Sequence, residues 1–332
     1  MSIKYLSKRI LVFIVTIILA VTINFFIPRL TPQNPVAALV GKMVSKGITV
    51  VDSDAIVQKY TEQFGMNDPL PVQYFKYLKN VILHGDLGYS ISYFPGKVTD
   101  VIIRAIPYTV IIMIIANVIA FVVGNLLGAL CVWKKSPKLV KGVVYFMMPF
   151  STIPYYILAL ILLYLFAILL PIFPIGGVST AGSAGGFSFK AIWDTVSHAV
   201  LPILSVVLSL IGFWALSMRG IMATVLGEDY LMYAQARGLK PGRIFFSYAV
   251  RNSLLPQITA FGIDIGKIIS GSILVEIVFN YPGVGMVLYN ALRTADYFVI
   301  QGVVMFIVVS VALTMLIVDL ILPKLDPTIK YE

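Results

Sequence analysis

Four ionisable side chains fall inside long apolar runs of the chain: Asp264, Lys267, Glu276 and Asp319. Charge within a bilayer is expensive. Such residues pair with one another, reach an interface, or line a path for polar cargo. Asp264 and Lys267 stand three apart and can meet on one helix face. They are either a structural ion pair or part of a pathway. Glu276 either lines a pathway or holds a neighbouring backbone group, and Asp319 lies close enough to the end of its run to reach the interface.

Other chemistry is missing from the sequence. There is no HExxH and no GxSxG, and no carboxylate pair stands at catalytic spacing near a histidine. The nearest approach to a phosphate loop is GIDIGKI, Gly262–Ile268. It is one residue short between its glycines, carries Ile where Ser or Thr is needed, and lies in an apolar run where a phosphate has no water. Any nucleotide energy must come from another chain. His84 and His198 are far apart and Cys131 is the single cysteine, so no metal-ligand spacing and no internal disulfide arise. The expectation is a protein that is not an enzyme and binds no cofactor or metal itself.

The elements that position these residues are membrane spans. The 332 residues are 59% hydrophobic and 12% charged, and mean hydropathy is +0.94. Soluble domains carry roughly 25% charge. A net charge of +10 fits basic flanks of membrane spans better than a nucleic-acid surface. Crossing a hydrocarbon core of about 30 Å takes about 20 apolar residues. Six runs qualify: Ile10–Ile27, Tyr108–Trp133, Val143–Leu170, Ala199–Met218, Leu255–Phe279 and Val299–Leu322. Pro28-Arg29 follows the first run where a signal peptide would show small residues, so that run is expected to remain as a span. Pro149 and Pro154 are expected to kink the third.

Basic residues give the orientation. Lys4, Lys8 and Arg9 precede the first span, and Lys134, Lys135, Lys138 and Lys141 crowd the link between the second and third. Arg219, Arg237, Lys240, Arg243 and Arg251 lie between the fourth and fifth, and Lys324 and Lys330 follow the sixth. The short loops on the other side hold only Lys190 and Arg293. Both termini are therefore expected in the cytoplasm. The divisions expected are an N-terminal end with the first span (1–30), an outward-facing cap (31–107), a five-helix core (108–323) and a short tail (324–332). In the cap, Asp52–Phe64 shows helical spacing of Ile56, Tyr60 and Phe64. Pro71–Leu83 predicts a helix with Tyr74, Phe75, Leu78 and Ile82 on one face. Gly85–Tyr93 predicts a turn followed by an alternating stretch, and Gly176–Ser188 a flexible loop.

Between the fourth and fifth spans runs EDYLMYAQARGLKPGRIFFSYAVRNSLLPQI, Glu228–Ile258. Acids open a helix at its positive end. Tyr230, Tyr233, Ala234 and Arg237 are expected on one side of it, and Gly238 ends it. Pro241 starts a second helical piece at a tolerated position, with Ile244, Phe245, Tyr248 and Leu255 as its apolar face. Two short helices thus meet at a glycine break. By itself this is either an ordinary amphipathic loop or a knob that another protein's cleft receives.

Here the residues carry a resemblance. The segment resembles the EAA loop of permease subunits in binding-protein-dependent ATP-binding-cassette (ABC) importers, in the dipeptide/oligopeptide/nickel branch. That branch reads Y-x-x-x-A-x-A-[KR]-G-L, then H-A-x-R-N-A-L-x-P. The chain matches at Tyr230, Ala234, Ala236, Arg237, Gly238 and Leu239, and again at Ala249, Arg251, Asn252, Leu254 and Pro256. Met232-Tyr233 stand in place of Glu-Ala, and Tyr248 replaces the histidine. RLTPQNPV (Arg29–Val36), Phe64–Ser92, EIVFNYPGVGMVLYNALRTADYFVIQG (Glu276–Gly302) and LDPTI (Leu325–Ile329) are similar to further motifs of the branch, in order. Ala295 interrupts that branch's Arg-Asp pair, Phe298 replaces its proline, and Thr328 replaces an arginine.

The resemblance implies an all-α membrane protein with six transmembrane helices in the type I importer permease fold. The loop 228–253 would dock as a coupling helix on an ATP-binding subunit through Tyr230, Tyr233, Ala234, Ala236, Arg237, Gly238, Leu239, Arg243, Arg251 and Asn252. Asp86, Tyr89, Tyr281, Pro282 and Gly283 would face an extracytoplasmic solute-binding protein. The implied partners are a second related permease, one or two ATP-binding subunits holding ATP and Mg, the binding protein, and the lipid bilayer of a prokaryotic cell membrane; nucleic acid is not among them. The implied cargo is an oligosaccharide or an oligopeptide. Gly124–Lys135 and Leu226–Leu239 look more like the oligosaccharide importers. An autonomous ion-coupled transporter or channel is the alternative, and it would rest on the charges of the fifth span.

Overall fold

The computed structural model describes residues 3–29, 58, 61–62, 68–90, 92–93, 96–180, 188–265 and 273–325. Every element among them is helical; the nearest thing to a strand is a single bridge between Tyr89 and Lys97. The helices are α1 (Ile3–Arg29), α2 (Leu70–His84), α3 (Val98–Val132), α4 (Lys138–Met147), α5 (Tyr155–Leu163), α6 (Phe189–Val225) and α7 (Asp229–Ala236). They continue with α8 (Arg251–Ile265), α9 (Ile273–Val278), α10 (Val284–Thr294) and α11 (Tyr297–Leu325). Among the described residues, four segments are long and apolar enough to cross a membrane: Tyr5–Phe26, Val98–Val132, Phe189–Val225 and Tyr297–Ile321. A fifth arises if a bent pair counts as one span.

That pair corrects the expected third span. Lys138–Thr152 and Tyr155–Leu169 meet at 105° rather than forming one kinked helix across Val143–Leu170. The cause is local. Met148–Thr152 tightens into a 3₁₀ turn, Ile153 is extended, and Pro154 opens α5. A residue before proline is pushed out of the helical region. The fifth expected span, Leu255–Phe279, runs into residues 266–272, outside those described, as does Lys267. Most of Asp52–Phe64 and the tail 326–332 also lie outside them.

The chain forms two compact units. One holds Ser7–Thr109 and Pro282–Leu313. Its core is Val98, Ile102 and Ala105 of α3 against Val284 and Ala291 of α10 and Val299 and Val303 of α11. Two amides bind α1 to α11. Asn24 Nδ2 donates to the Gln301 carbonyl at 2.7 Å, and Gln301 Nε2 donates back to the Asn24 carbonyl at 3.1 Å. Both side chains are buried, so each satisfies a group that hydrocarbon would leave bare. Helix α2 has its proline in the first turn and ends in Gly85 at φ 60°, as expected. Its packed face differs from the expected one. Tyr74 packs edge-on and Tyr77 tilted against Phe25 of α1, while Phe75 points away and is 69% exposed. A hydroxyl pair, Thr22 Oγ1 and Tyr74 Oη at 2.7 Å, closes that contact. The stretch after Gly85 doubles back, with Ser90 N donating to Gly96 O and Val98 N to Gly88 O.

The other unit holds Met1–Leu6, Val110–Tyr281 and Thr314–Glu332. Here α3 and α6 approach through small residues. A β-carbon on Gly124 would stand 2.7 Å from Trp214 Cβ, and one on Gly128 would strike the backbone of Ala215. Small residues allow such backbone approach between membrane helices. Phe121, Trp214 and Phe261 pack where α3, α6 and α8 meet, with Trp214 edge-on to both phenylalanines. Gln257 donates to Ser217 Oγ at 2.8 Å one turn further along.

Candidate functional site

The break between α7 and the next helical piece is built from backbone hydrogen bonds. Gly238 has φ +72°, which glycine adopts without strain. Across it, Leu239 N donates to Ala234 O at 3.3 Å and Gly238 N to Gln235 O at 2.9 Å. This is a Schellman closure, and it satisfies the last carbonyls of α7. Leu239 then packs on the same apolar cluster as Ala234. Lys240 is extended and Pro241 starts the next turn. Ile244–Val250 follows as a π-helix that runs directly into α8. The sequence contains no signal for the π segment; glycine and proline marked only its boundary.

The loop has a buried root and an exposed crest. Leu231, Ala234, Ile244, Phe245 and Ala249 pack on Met218 and Met222 of α6 and Ala129 of α3. Trp133 stacks on Phe245 with centroids 5.1 Å apart. Tyr230 Oη accepts a hydrogen bond from Asn252 Nδ2 at 2.9 Å, which ties α7 to the start of α8. The crest comprises Met232, Tyr233, Gln235, Ala236, Arg237 and Gly238, with Tyr233 70% exposed. Arg243, Phe246 and Arg251 are exposed beyond it. The expected single-sided set therefore divides: Tyr230 and Ala234 face the root, Tyr233 and Arg237 the crest. Leu255, expected on the apolar face, is exposed. Beside the root lies a groove of about 600 Å³ between Leu231, Met232 and Gln235 on one side and Trp133, Lys134 and Lys135 on the other.

The residues expected to face a binding protein are placed unequally. Asp86 caps the turn at Gly88 N, 3.0 Å away, and lies 3.4 Å from Lys97 Nζ. Tyr89 is exposed. Tyr281 is only 4% exposed and Gly283 is buried, so Pro282 alone of those three offers surface. Sequence reasoning missed Asp296. Its carboxylate is fully buried and accepts from Ser90 Oγ at 2.6 Å, Ser92 N at 2.8 Å and Val299 N at 3.2 Å. It caps α11 and pins the turn after Gly88 to it. Within the apolar segments, Asp264 is half-buried on α8 and Glu276 is 2% exposed on α9. Lys267 lies outside the described residues, so no contact with Asp264 is described. Among the described residues no cluster of histidine, cysteine or acids could hold a metal.

Residues 120–331 match the family described as "Binding-protein-dependent transport system inner membrane component". The chain belongs to this family. Residues 2–112 match the companion N-terminal family of the same membrane components. The oligopeptide transport system permease protein AppB of Bacillus subtilis (strain 168) is 31% identical over 98% of this chain and 99% of its own length. A putative peptide permease protein of Brucella ovis is 33% identical, again over 98% and 99%. The oligopeptide transport system permease protein OppB of Haemophilus influenzae is 30% identical over 99% of both. The resemblance read from the loop and the outer motifs thus holds over the whole chain. As a membrane component of such a transport system, this protein is a permease subunit of an ATP-driven importer, not an enzyme. ATP hydrolysis belongs to its partner.

Proposed function

We propose that this permease carries oligopeptides through a pathway it shares with a second, related permease, and that loop 228–253 couples it to an ATP-binding subunit holding ATP and Mg. The observation that supports this reading is the loop itself. An exposed crest stands on a buried root, the break is closed by backbone bonds, and the piece after it is continuous with α8. A push on the crest has a stiff route into the membrane. In this reading six helices span the bilayer, both termini are cytoplasmic, and 31–107 forms an outward cap. Asp86, Tyr89 and Pro282 then meet the binding protein. Asp264 and Glu276 lie along the pathway or hold its walls.

The peptide assignment draws on what the relatives' names say of those proteins. The segments that lean to oligosaccharide, Gly124–Lys135 and Leu226–Leu239, form the α3–α6 contact and the loop root, so neither speaks for cargo. Uptake into proteoliposomes holding the assembled importer tests this reading. Labelled oligopeptide presented on the binding protein should accumulate only with ATP inside. Accumulation of oligosaccharide instead would refute the cargo, and accumulation without ATP would refute the coupling.

A further inference from the structure

The link between α3 and α5 is more than a connection. Lys134, Lys135, Lys138 and Lys141 fall within eight residues, with no acid from Trp133 to Met147. None of the four has an ion-pair partner among the described residues. Helix α4 turns its Val144 onto Ala215 of α6 and Cys131 of α3. Leu139 and Phe146, two turns apart on one line, are 79% and 70% exposed. Exposed Lys138, half-buried Lys141 and exposed Tyr145 form a second row round the helix, where Tyr145 lies under Arg219 at 5.8 Å. The exposed arc of α4 therefore has an apolar edge and a basic edge.

Direction decides what can cover it. Helix α5 packs along α6, which is long enough to span. The 105° bend then lays α4 across the bundle rather than along it. A helix with such an arc, lying across the spans beside four lysines, has the form of an interfacial helix.

We propose that α4 and the turn before it bind the headgroups of anionic phospholipids, with Lys134, Lys135, Lys138 and Lys141 on the phosphates and Leu139 and Phe146 in the acyl layer. Charge complementarity selects this occupant: a zwitterionic headgroup carries a phosphate but no net negative charge to balance four lysines without acids. The inference needs the chain to span a bilayer and is independent of cargo; Lys134 and Lys135 also line the groove beside loop 228–253.

The fluorescence of Trp133, next to Lys134, provides the test. The assembled importer, with Trp193→Phe and Trp214→Phe in this chain and the tryptophans of the partner subunits replaced by Phe so that Trp133 is the one emitter, is placed in vesicles containing brominated phosphatidylglycerol or brominated phosphatidylcholine. One lysine near an anionic surface corresponds to about a fivefold preference. Phosphatidylglycerol should therefore quench at least about fivefold more effectively per mole, and Lys134→Gln, Lys135→Gln, Lys138→Gln and Lys141→Gln together should abolish the difference. Equal quenching by the two lipids, no quenching by either, or a preference retained in the quadruple variant overturns the proposal. In case Trp214→Phe disturbs packing, native mass spectrometry of the importer with all tryptophans intact reads the same point. The quadruple variant should retain fewer phosphatidylglycerol molecules, and equal retention contradicts the site.

Discussion

The amide of Leu239 reaches back over Gly238 to the carbonyl of Ala234, 3.3 Å away. This bond makes the exposed crest a rigid turn of backbone, and it exists only because residue 238 sits at φ +72°.

Substitution at Gly238 is predicted to act through conformation alone, since a β-carbon there would meet nothing within 4 Å. Gly238→Asn should transport nearly as well as wild type, because Asn tolerates this region. Gly238→Val should lower uptake, with strain of at least about 1 kcal/mol. Gly238→Pro also removes the donor to Gln235 and should abolish uptake while the protein still reaches the membrane. Transport assays with membrane quantification separate these outcomes. Normal uptake by the proline variant would contradict the role of the break.

Asn252→Ala breaks the 2.9 Å bond to Tyr230 that joins α7 to α8. An exposed bond of this kind is worth about 1 kcal/mol, so folding should survive. The predicted defect is looser coupling: more ATP hydrolysed per substrate molecule imported. A hydrolysis-to-uptake ratio equal to that of wild type would show that the tie is decorative.

Gly128→Leu places a side chain against the backbone of Ala215. Overpacking of this sort costs about 1–3 kcal/mol, and here both neighbours are helix backbone with little room to yield. The yield of folded protein in detergent should fall sharply, while Gly142→Leu, whose β-carbon meets nothing within 4 Å, should express normally. Equal yields would mean α3 and α6 do not meet as described.

Asp296→Ala removes an acceptor for three donors and the cap of α11. Loss of the cap alone costs about 1 kcal/mol, and the stranded Ser90 hydroxyl adds to it. The melting temperature should drop, and Asp296→Asn should recover part of the loss. No change in melting with the alanine variant would sink the claim that this carboxylate pins the turn.

The sequence made some of this legible and not the rest, and the divide is physical. Gly238, Pro241 and Gly85 announce their turns because their backbone preferences are intrinsic. The spans announce themselves by apolar length. Pro149 and Pro154 marked a kink, yet a 105° bend depends on the 3₁₀ turn between them and on what α4 packs against. Helical spacing placed Phe75 with Tyr74, but the position of Phe25 on α1 selects Tyr74 and Tyr77. Tyr281 precedes a proline-glycine pair that reads as surface, and its burial is tertiary. Asp296 was invisible because its partner Ser90 lies 206 positions away. The π segment at Ile244–Val250 carries no residue pattern that separates it from an α-helix.

The coupling role of loop 228–253 is tested most directly by a cross-link. Ala236 is exposed on the crest and Cys131, the only cysteine, is buried, so Ala236→Cys with Cys131→Ala gives one reactive thiol. Paired with single cysteines introduced on the ATP-binding subunit, it should cross-link in the assembled importer, and the cross-link should stop uptake until it is reduced. If no position on the ATP-binding subunit captures Ala236→Cys while uptake remains ATP-dependent, the coupling surface lies elsewhere on the chain.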